Sequence, residues 1–230
     1  GIAGSGMKKD KNQGVHVPEH WSSNSWEEKA RENPLFAVMT TPNYTNSDAK
    51  QFTQEELEYF FEKGRRVYSK IVKPRLGLIE TGAADPLLVE YGCGMGRILK
   101  AAVEDGRRVG GIDISATMIE HCRNFVPQAV DNLYVLDAAN RSGMPAQSAD
   151  LVFSFAVLKH IPSLKVYYAA LDEITRVMAP GAALLLNVNC QDFIHGSFDK
   201  PGRTTNYETY SDHFRFGEKK AYKSRTYSTW

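Results

Sequence analysis

A short apolar segment that runs directly into a bend with three glycines constrains this chain most. Residues 87–91 read Leu-Leu-Val-Glu-Tyr, and Gly92, Gly94 and Gly96 follow at every second position. Glycine lets the backbone turn sharply and approach a ligand closely, and the first amides of a following helix point into the same space. The segment therefore predicts a strand, a turn and a helix that together form a site for a nucleotide-like cofactor.

The glycine spacing and a nearby charge narrow the kind of cofactor. A dinucleotide fingerprint reads Gly-x-Gly-x-x-Gly and a phosphate-binding loop ends in Gly-Lys-Ser/Thr, and this turn fits neither pattern. Glu90 lies two positions before the first glycine, where it would repel a pyrophosphate but attract an ammonium group. A cofactor with an amino-acid end therefore fits this turn better than one with phosphates.

Acidic residues also end the next two predicted strands. The strand at 108–112 is followed by Asp113, placed to accept hydrogen bonds from both hydroxyls of a ribose, and the strand at 133–136 is followed by Asp137. Either aspartate has a local alternative: Asp113 could cap the following turn, and Asp137 could start an Asx-turn into 138–140. Their joint placement favours the cofactor site.

The order of these motifs resembles the class I S-adenosylmethionine-dependent methyltransferases. The resemblance runs from 87 to 189 and includes the glycine turn after an acidic residue, a fourth strand within 149–161, and Val-Met-Ala-Pro-Gly at 177–181 before a fifth strand. It implies an α/β fold with a doubly wound, mostly parallel, Rossmann-like sheet, and S-adenosylmethionine as cofactor. Apolar strands that alternate with helices agree with such a sheet, whose ligands lie at the carboxyl ends of its strands.

The resemblance also assigns residues to parts of the cofactor. It implies that the three turn glycines border the methionine part, that Asp113 holds the ribose, and that Asp137 and the Ala138 amide meet the adenine edge. Arg97 is expected either to pair with the cofactor carboxylate or to pair with Glu90 or Asp113. The full set expected to bind the cofactor is Glu90, Gly92, Cys93, Gly94, Gly96, Arg97, Asp113, Ile114, Met118, Asp137, Ala138 and Phe155.

Methyl transfer from a sulfonium needs few catalytic groups. The methyl group is already activated, so alignment of donor and acceptor supplies much of the acceleration, and a hydroxyl or amine acceptor needs one base. His160, just past the fourth strand, is the expected base, with a packing histidine as the alternative; Lys159 beside it stands where relatives often carry an acidic residue or histidine. His195 and His213, with neighbouring aspartates, match no zinc spacing, so no metal is expected.

Composition limits the possible partners. The chain has 230 residues, 42% of them hydrophobic, which is enough for one sizeable core. Its 28 basic and 27 acidic residues give a net charge of +1, which disfavours nucleic acid as a partner. No apolar run approaches the roughly 18 residues of a membrane span. The three cysteines show no Cys-x-x-Cys spacing, which favours reduced thiols and a cytoplasmic location.

Helix signals divide the chain into segments. Thr53 and Glu56 form a capping box for a helix that Pro74 is expected to stop, and Ser115 and Ser163 are expected to cap two later helices. The predicted segments are residues 1–6, an expected expression scar before Met7; 7–74, an arm with a helical cap; 75–190, the cofactor-binding core; and 191–230, an irregular tail.

The tail predicts a sheet that stops early. The family needs another helix and an antiparallel pair of strands after the fifth strand at about 183–188, yet 189–230 shows no convincing period. An open sheet edge is a template for association. We therefore expect the tail or a second copy of the chain, as a homodimer, to cover it, unless the natural protein is longer.

The predicted function is methyl transfer from S-adenosylmethionine to a small-molecule acceptor. Two alternatives remain: a cofactor-binding regulatory or assembly subunit without activity, which the incomplete sheet would favour, and a nucleic-acid methyltransferase. Aromatic residues of the arm and tail are the expected acceptor wall, namely Phe36, Tyr44, Phe193, Tyr207, Tyr210 and Phe214.

Overall fold

The computed structural model describes residues 23–44, 52–161 and 164–187, and the backbone of 212–216 and 219–224. The α-helices are α1 (Ser23–Glu32), α2 (Pro34–Val38), α3 (Gln54–Val67), α4 (Arg97–Glu104), α5 (Ala116–Phe125) and α6 (Leu164–Val177). The strands are β1 (Leu87–Tyr91), β2 (Arg108–Asp113), β3 (Leu133–Val135), β4 (Ala149–Ser154), β5 (Met178–Asn187), β6 (Asp212–Phe216) and β7 (Lys219–Ser224). None of these helices is long and apolar enough to cross a bilayer.

One sheet organises the described chain. Its seven strands lie in the order β3-β2-β1-β4-β5-β7-β6, and all neighbours are parallel except β6 and β7. Leu88 and Leu151 pack with residues of α4 and α5 on one face, whereas Val89 and Val152 pack with α6 on the other. Since both faces are covered, β1 and β4 are buried along their whole length, and the predicted doubly wound, mostly parallel fold is confirmed.

The sheet does not stop early, and residues of the tail cover its edge, which is the first of the two expected covers. β7 pairs in parallel with β5 from Ala183 to Asn187, and β6 pairs antiparallel with β7. The segment 219–224 reads Lys-Lys-Ala-Tyr-Lys-Ser, without the apolar run that identifies the central strands. Its pairing comes from backbone groups offered by β5, a long-range contact that local hydrophobic pattern does not reveal.

The helical cap begins as predicted and ends differently. Thr53 Oγ1 accepts from the Glu56 amide at 3.2 Å, and the Glu56 carboxylate accepts from the Thr53 amide at 2.8 Å, which confirms the capping box. The α-helix ends at Val67, and the chain continues through a π-helical turn, Tyr68–Val72, into a 3₁₀ turn, Lys73–Leu78. Pro74 lies in the first turn of that 3₁₀ segment, where its missing N–H costs nothing, so it does not stop the helical path.

The cap packs on the start of α4 and α5 through an aromatic cluster. Phe60 and Phe61 of α3 are buried together with Leu35, Met95 and Met118. The backbones of α3 and α4 also approach closely, because a Cβ on Gly64 would lie 1.9 Å from the carbonyl oxygen of Arg97. The cap is therefore attached beside the glycine turn, at the carboxyl ends of the strands.

β5 starts earlier than expected. It includes Ala179, Pro180 and Gly181, and its pairing with β4 shifts register between Ala149 and Leu151. Gly181 has a φ of +79°, and its carbonyl oxygen accepts a hydrogen bond from the Glu80 amide at 2.9 Å. A Cβ at this position would lie 2.7 Å from the Glu80 carbonyl oxygen. Only glycine fits this position without strain. The expected cap residue Ser163 lies outside the described residues.

Candidate active site

The glycine turn lies between the ends of β1 and β2. Gly92, Gly94 and Gly96 have φ angles of +79°, +51° and +81°, which explains why glycine occupies all three positions. The Gly92 amide donates to the carbonyl of Ile112 at 2.7 Å, and the Gly94 amide donates to Asp113 Oδ2 at 2.8 Å. The turn is thus attached to β2 by hydrogen bonds from its own backbone.

Asp113 connects the turn to α5. Its Oδ1 accepts from the Ser115 amide at 2.9 Å while its Oδ2 binds the turn, and burial raises the pKa of this carboxyl above its ordinary value. Ser115 in turn caps α5, accepting the Met118 amide at 3.1 Å, as expected. Asp113 therefore caps the turn that follows it, which is the local alternative that the sequence offered for this residue. A carboxylate has about four lone-pair positions, and the backbone amides of Gly94, Ser115 and Ile114 use most of them, so the contact of Asp113 with a ribose stays a prediction.

Glu90 and Arg97 lie on either side of the turn and lack hydrogen-bond partners at one atom each. Glu90 Oε2 and Arg97 Nε are buried without a partner among the described residues. Burial raises the pKa of Glu90, although the charge of Arg97 opposes this shift. Burial likewise lowers the pKa of Arg97, although the charge of Glu90 opposes that shift. Within the described residues no ion pair joins Arg97 to Glu90 or to Asp113.

Asp137 organises its own loop. Its Oδ1 accepts from the amides of Ala139 and Arg141, both at 2.8 Å, which is the Asx-turn that the sequence left as an alternative. Asp137 and Ala138 are both exposed. Both of these hydrogen bonds go to the same oxygen of Asp137, and the contact of this residue with adenine stays a prediction.

The other expected cofactor residues lie around this turn in different environments. Cys93 is a buried free thiol next to Cys122, and the hydrogen bond with Cys122, together with burial, raises the pKa of Cys93, so this thiol stays protonated and unreactive. Met118 is buried in the aromatic cluster of the cap. Ile114 and Phe155 are partly buried, Ile114 on the α6 face and Phe155 on the α4 face of the sheet.

Two valines that the sequence analysis did not identify cover the turn. A Cβ on Gly92 would lie 2.2 Å from Val157 Cγ2, and a Cβ on Gly94 would lie 3.0 Å from Val38 Cγ2. Val157 belongs to the segment after β4, and Val38 ends α2. Nothing local marks these residues, because both contacts join parts of the chain that are distant in sequence.

Helix α1 is attached to the same region by Glu27. Its carboxylate accepts from the hydroxyls of Ser115 at 2.7 Å and Thr117 at 2.6 Å, at the N-terminus of α5. Burial opposes ionisation, but the hydrogen bonds from Thr117 and Ser115 dominate and lower the pKa of Glu27 to about 2. A carboxylate at a helix N-terminus also interacts favourably with the helix dipole.

His160 lies in the 3₁₀ turn Leu158–His160 that follows β4, against α1. Its ring meets the ring of Trp26 edge-on, with 5.8 Å between centroids. Burial lowers the pKa of His160, and the charges of Lys159 and Lys29 lower it further. The imidazole is therefore neutral at physiological pH, as a base must be.

The expected acceptor wall is only partly described. The prediction that Tyr44 lines the acceptor site is wrong. Its ring is fully buried in the aromatic cluster of the cap, and its hydroxyl donates to the Glu56 carbonyl at 3.1 Å. Phe36 is partly buried against the same cluster. The side chains of Phe193, Tyr207, Tyr210 and Phe214 lie outside what the structure describes, as do His195 and the side chain of His213. In the described ranges no three His, Cys, Asp or Glu side chains group as metal ligands.

The residues around the turn fit S-adenosylmethionine. A carboxylate and a guanidinium, each buried with one unpartnered polar atom, match the ammonium and carboxylate of an amino-acid end. The acceptor capacity that Asp113 keeps beside its backbone contacts suits a ribose hydroxyl. Two acidic side chains of this set, Glu90 and Asp113, would repel a pyrophosphate at the turn.

Comparison with known proteins gives the same family. Residues 89–186 match the model of a methyltransferase domain. Trans-aconitate 2-methyltransferase of Azoarcus sp. (strain BH72) is 32% identical over 103 residues, 44% of this chain and 38% of that protein. Malonyl-[acyl-carrier protein] O-methyltransferase of Yersinia pestis is 30% identical over 129 residues, 56% of this chain and 43% of that protein.

A third relative acts on RNA. The tRNA (carboxymethyluridine(34)-5-O)-methyltransferase of Macaca fascicularis is 30% identical over 158 residues, 65% of this chain and 22% of that protein. The chain thus spans less than half the length of each of these relatives. The glycine turn, the strand order and the family match lead to one conclusion: residues 89–186 form a methyltransferase domain, similar to the class I S-adenosylmethionine-dependent methyltransferases.

Proposed function

We propose that this chain transfers a methyl group from S-adenosylmethionine to a small-molecule acceptor. The observation that carries the proposal is the pair of buried, unpartnered atoms, Glu90 Oε2 and Arg97 Nε, beside the glycine turn. Leaving a buried charged group without a hydrogen bond is costly, so such atoms are expected where a ligand supplies the partner.

Each residue has a proposed task toward the cofactor. Glu90 accepts from the ammonium group, Arg97 holds the carboxylate, and Asp113 binds the ribose while its two backbone contacts keep the turn in shape. Asp137 and the Ala138 amide are proposed at the adenine edge. When bound, S-adenosylmethionine supplies a methyl group that its positive sulfur has already activated.

The residues on the acceptor side exclude water and handle a proton. Val38 and Val157 cover the turn with methyl groups, which keeps solvent from the reacting atoms. His160, neutral because burial and two lysines lower its pKa, is able to accept a proton from a hydroxyl or amine acceptor. Alignment by these side chains supplies the rest of the acceleration.

The named relatives support small acceptors. One acts on trans-aconitate, and this name is the basis for a small-molecule acceptor here; another acts on malonyl-[acyl-carrier protein]. The relative that acts on tRNA makes RNA the second candidate. The alternative of a subunit without activity and the expectation of a homodimer both depended on an open sheet edge. In the structure β7 and β6 occupy that edge, so neither has this support. The free thiols Cys93 and Cys122 support the proposed cytoplasmic location.

Titration calorimetry with S-adenosylhomocysteine tests the cofactor assignment. Glu90→Gln and Arg97→Met should each weaken binding by about tenfold or more, the size expected for a hydrogen bond to a charged group. Glu104→Gln is the matched control, since Glu104 is at the far end of α4 and pairs with Lys100 and Arg65. Equal affinities in all three variants would contradict the assignment. Label transfer from S-adenosylmethionine into RNA rather than small molecules would favour the second candidate.

A further inference from the structure

The loop that carries Asp137 and Ala138 is closed by its own hydrogen bonds. The Asp137 amide donates to the Arg141 carbonyl at 2.8 Å, and the Asn140 amide donates to the Asp137 carbonyl at 2.9 Å. The Asp137 carboxylate in turn accepts from the Ala139 and Arg141 amides. The position of the Asp137 carboxylate and of the Ala138 amide therefore depends on how Arg141 is held.

Helix α6 contacts this loop at points that are two helical turns apart. Asn140 Nδ2 donates to the Val166 carbonyl at 3.3 Å. Further along α6, Glu173 accepts from Arg141 Nη1 at 3.1 Å and from the Ser142 amide at 2.9 Å. The seven residues from Val166 to Glu173 make about two turns of an α-helix. The loop thus lies along α6, and the guanidinium of Arg141 connects Glu173 to the hydrogen bonds that close the loop.

The carboxylate of Glu173 is fully buried and accepts hydrogen bonds at both oxygens. Its Oε1 accepts from Ser142 Oγ at 2.6 Å and from Arg176 Nη2 at 2.7 Å, besides the Ser142 amide. Its Oε2 accepts from Arg176 Nε at 2.8 Å, besides Arg141. Arg176 also donates to the Met144 carbonyl at 2.7 Å. The carboxylate thus joins α6 to the loop and to the chain that follows the loop.

Packing alone does not explain a carboxylate at this position of α6. Its neighbours on the helix, Ala170, Ile174 and Val177, are apolar core residues. A buried ion pair often contributes no more stability than apolar side chains of similar volume, because both charges must leave water, and its best-attested use is to fix one arrangement among several. Since Glu173 receives hydrogen bonds from the loop, the arrangement that it fixes is that of the loop.

We propose that Glu173 is a positioning residue for the adenine of S-adenosylmethionine. Through Arg141 and Ser142 it holds the Asp137 carboxylate and the Ala138 amide at the edge of the base. The inference rests on the proposed function, in which Asp137 and Ala138 meet the adenine edge, and adds the residue that keeps them in place. Glu173 is fully buried whereas Asp137 and Ala138 are exposed, so it acts on the base through them.

The test uses two ligands that differ only at that edge. S-adenosylhomocysteine has an amino group and an unprotonated ring nitrogen there, whereas S-inosylhomocysteine has a carbonyl oxygen and a ring N–H, so its donors and acceptors are reversed. The Asp137 carboxylate and the Ala138 amide should therefore bind the adenine form at least about tenfold more tightly, as measured by calorimetry with the full chain. Equal affinity of the parent chain for both ligands would overturn the inference. A parent chain that binds neither would contradict the proposed function itself.

Arg141→Met and Ser142→Ala remove contacts with Glu173 and leave Asp137 unchanged. Each should weaken binding of S-adenosylhomocysteine by about tenfold and change binding of S-inosylhomocysteine little, so the ratio of the two affinities falls. A variant that is merely less stable loses folded protein for both ligands alike, and its ratio stays that of the parent chain. Glu173→Gln should lower the ratio as well, and the two loop variants carry the test if Glu173→Gln does not fold.

Arg66→Met and Ser148→Ala are the matched controls. Arg66 forms an exposed ion pair within α3, and Ser148 Oγ donates to a backbone carbonyl just before β4. Both variants should keep the affinity ratio of the parent chain. An unchanged ratio in Arg141→Met and Ser142→Ala would overturn the inference, since Glu173 would then not act on the base through the loop.

A double variant separates an effect through Asp137 from an independent one. Asp137→Ala removes the carboxylate at the edge of the base and should itself lower the affinity ratio. Adding Arg141→Met should lower the ratio no further, because both changes disrupt the same contact. A further fall in the double variant would mean that Arg141 affects the base by another route, and would overturn the assignment of Glu173.

Discussion

The attachment of α1 to α5 should depend on the charge of a single side chain. Glu27 accepts hydrogen bonds from Ser115 Oγ at 2.7 Å, Thr117 Oγ1 at 2.6 Å and the Thr117 amide at 3.3 Å. Glu27→Gln keeps the shape but has one acceptor oxygen, and its NH₂ group then faces a donor. A hydrogen bond to a charged group contributes about 1.5–3 kcal/mol, and the interaction with the helix dipole about 0.3–1 kcal/mol.

These magnitudes predict a loss of about 2–4 kcal/mol in the free energy that holds α1 in place, since contacts within one network do not add in full. Native-state hydrogen exchange of the α1 amides measures that free energy, and about 1.4 kcal/mol corresponds to a tenfold change in protection. We expect protection to fall at least tenfold in Glu27→Gln. Glu28→Gln is the control, because Glu28 is the exposed neighbour on the same helix.

The same contact has a defined pH dependence. The pKa of Glu27 is lowered from 4.5 to about 2, so its stabilisation is present in full above pH 4.5 and is lost as the pH falls towards 2. Protection of α1 should decline over that range in the parent chain and be flat in Glu27→Gln. If both glutamine variants retain the protection of the parent chain, Glu27 does not hold α1 and the reasoning fails.

Two further substitutions test the interior of the site and the fold. Asp113→Ala should abolish the cofactor binding that calorimetry detects. It should also lower the free energy of unfolding in urea by about 3 kcal/mol, because the Gly94 and Ser115 amides both lose a charged acceptor. Unchanged stability would mean that the turn does not depend on this carboxylate. Glu173→Gln should cost about 3–5 kcal/mol, because it breaks a buried ion pair with Arg176 at 2.7 Å. Burial raises the pKa of Glu173, but hydrogen bonds, led by that from Arg176, lower it from 4.5 to about 2. The difference in unfolding free energy between Glu173→Gln and the parent chain should therefore shrink as the pH falls through that range. A constant difference would refute this assignment.

The parts of the fold that the sequence predicts are those whose signals are local. The glycine turn follows β1 within a few residues, and the caps at Thr53 and Ser115 depend on contacts three residues away. Hydrophobic runs likewise identified the buried strands β1, β2 and β4, since a strand covered on both faces needs apolar residues throughout. Spacing within one segment was sufficient for these elements.

The cover of the site could not be predicted in this way. Glu27 and Ser115 are 88 positions apart, and the contacts of Val38 with Gly94 and of Trp26 with His160 span 56 and 134 positions. A glutamate on a polar helix has no local pattern that identifies its partner. The pairing of β7 with β5 was missed for the same reason, because backbone groups of a distant strand provide it.

Val38 couples the strength of the cap to the affinity for the cofactor. Its Cγ2 lies 3.0 Å from the position of a Cβ on Gly94, so this methyl group covers the glycine beside which the cofactor is proposed to bind. Whatever part of the packing free energy of α2 is given up when the cofactor enters is subtracted from the free energy of binding. Substitutions that loosen the cap should speed both capture and escape of the cofactor, and variants ranked by cap stability should rank in the opposite order by exchange rate.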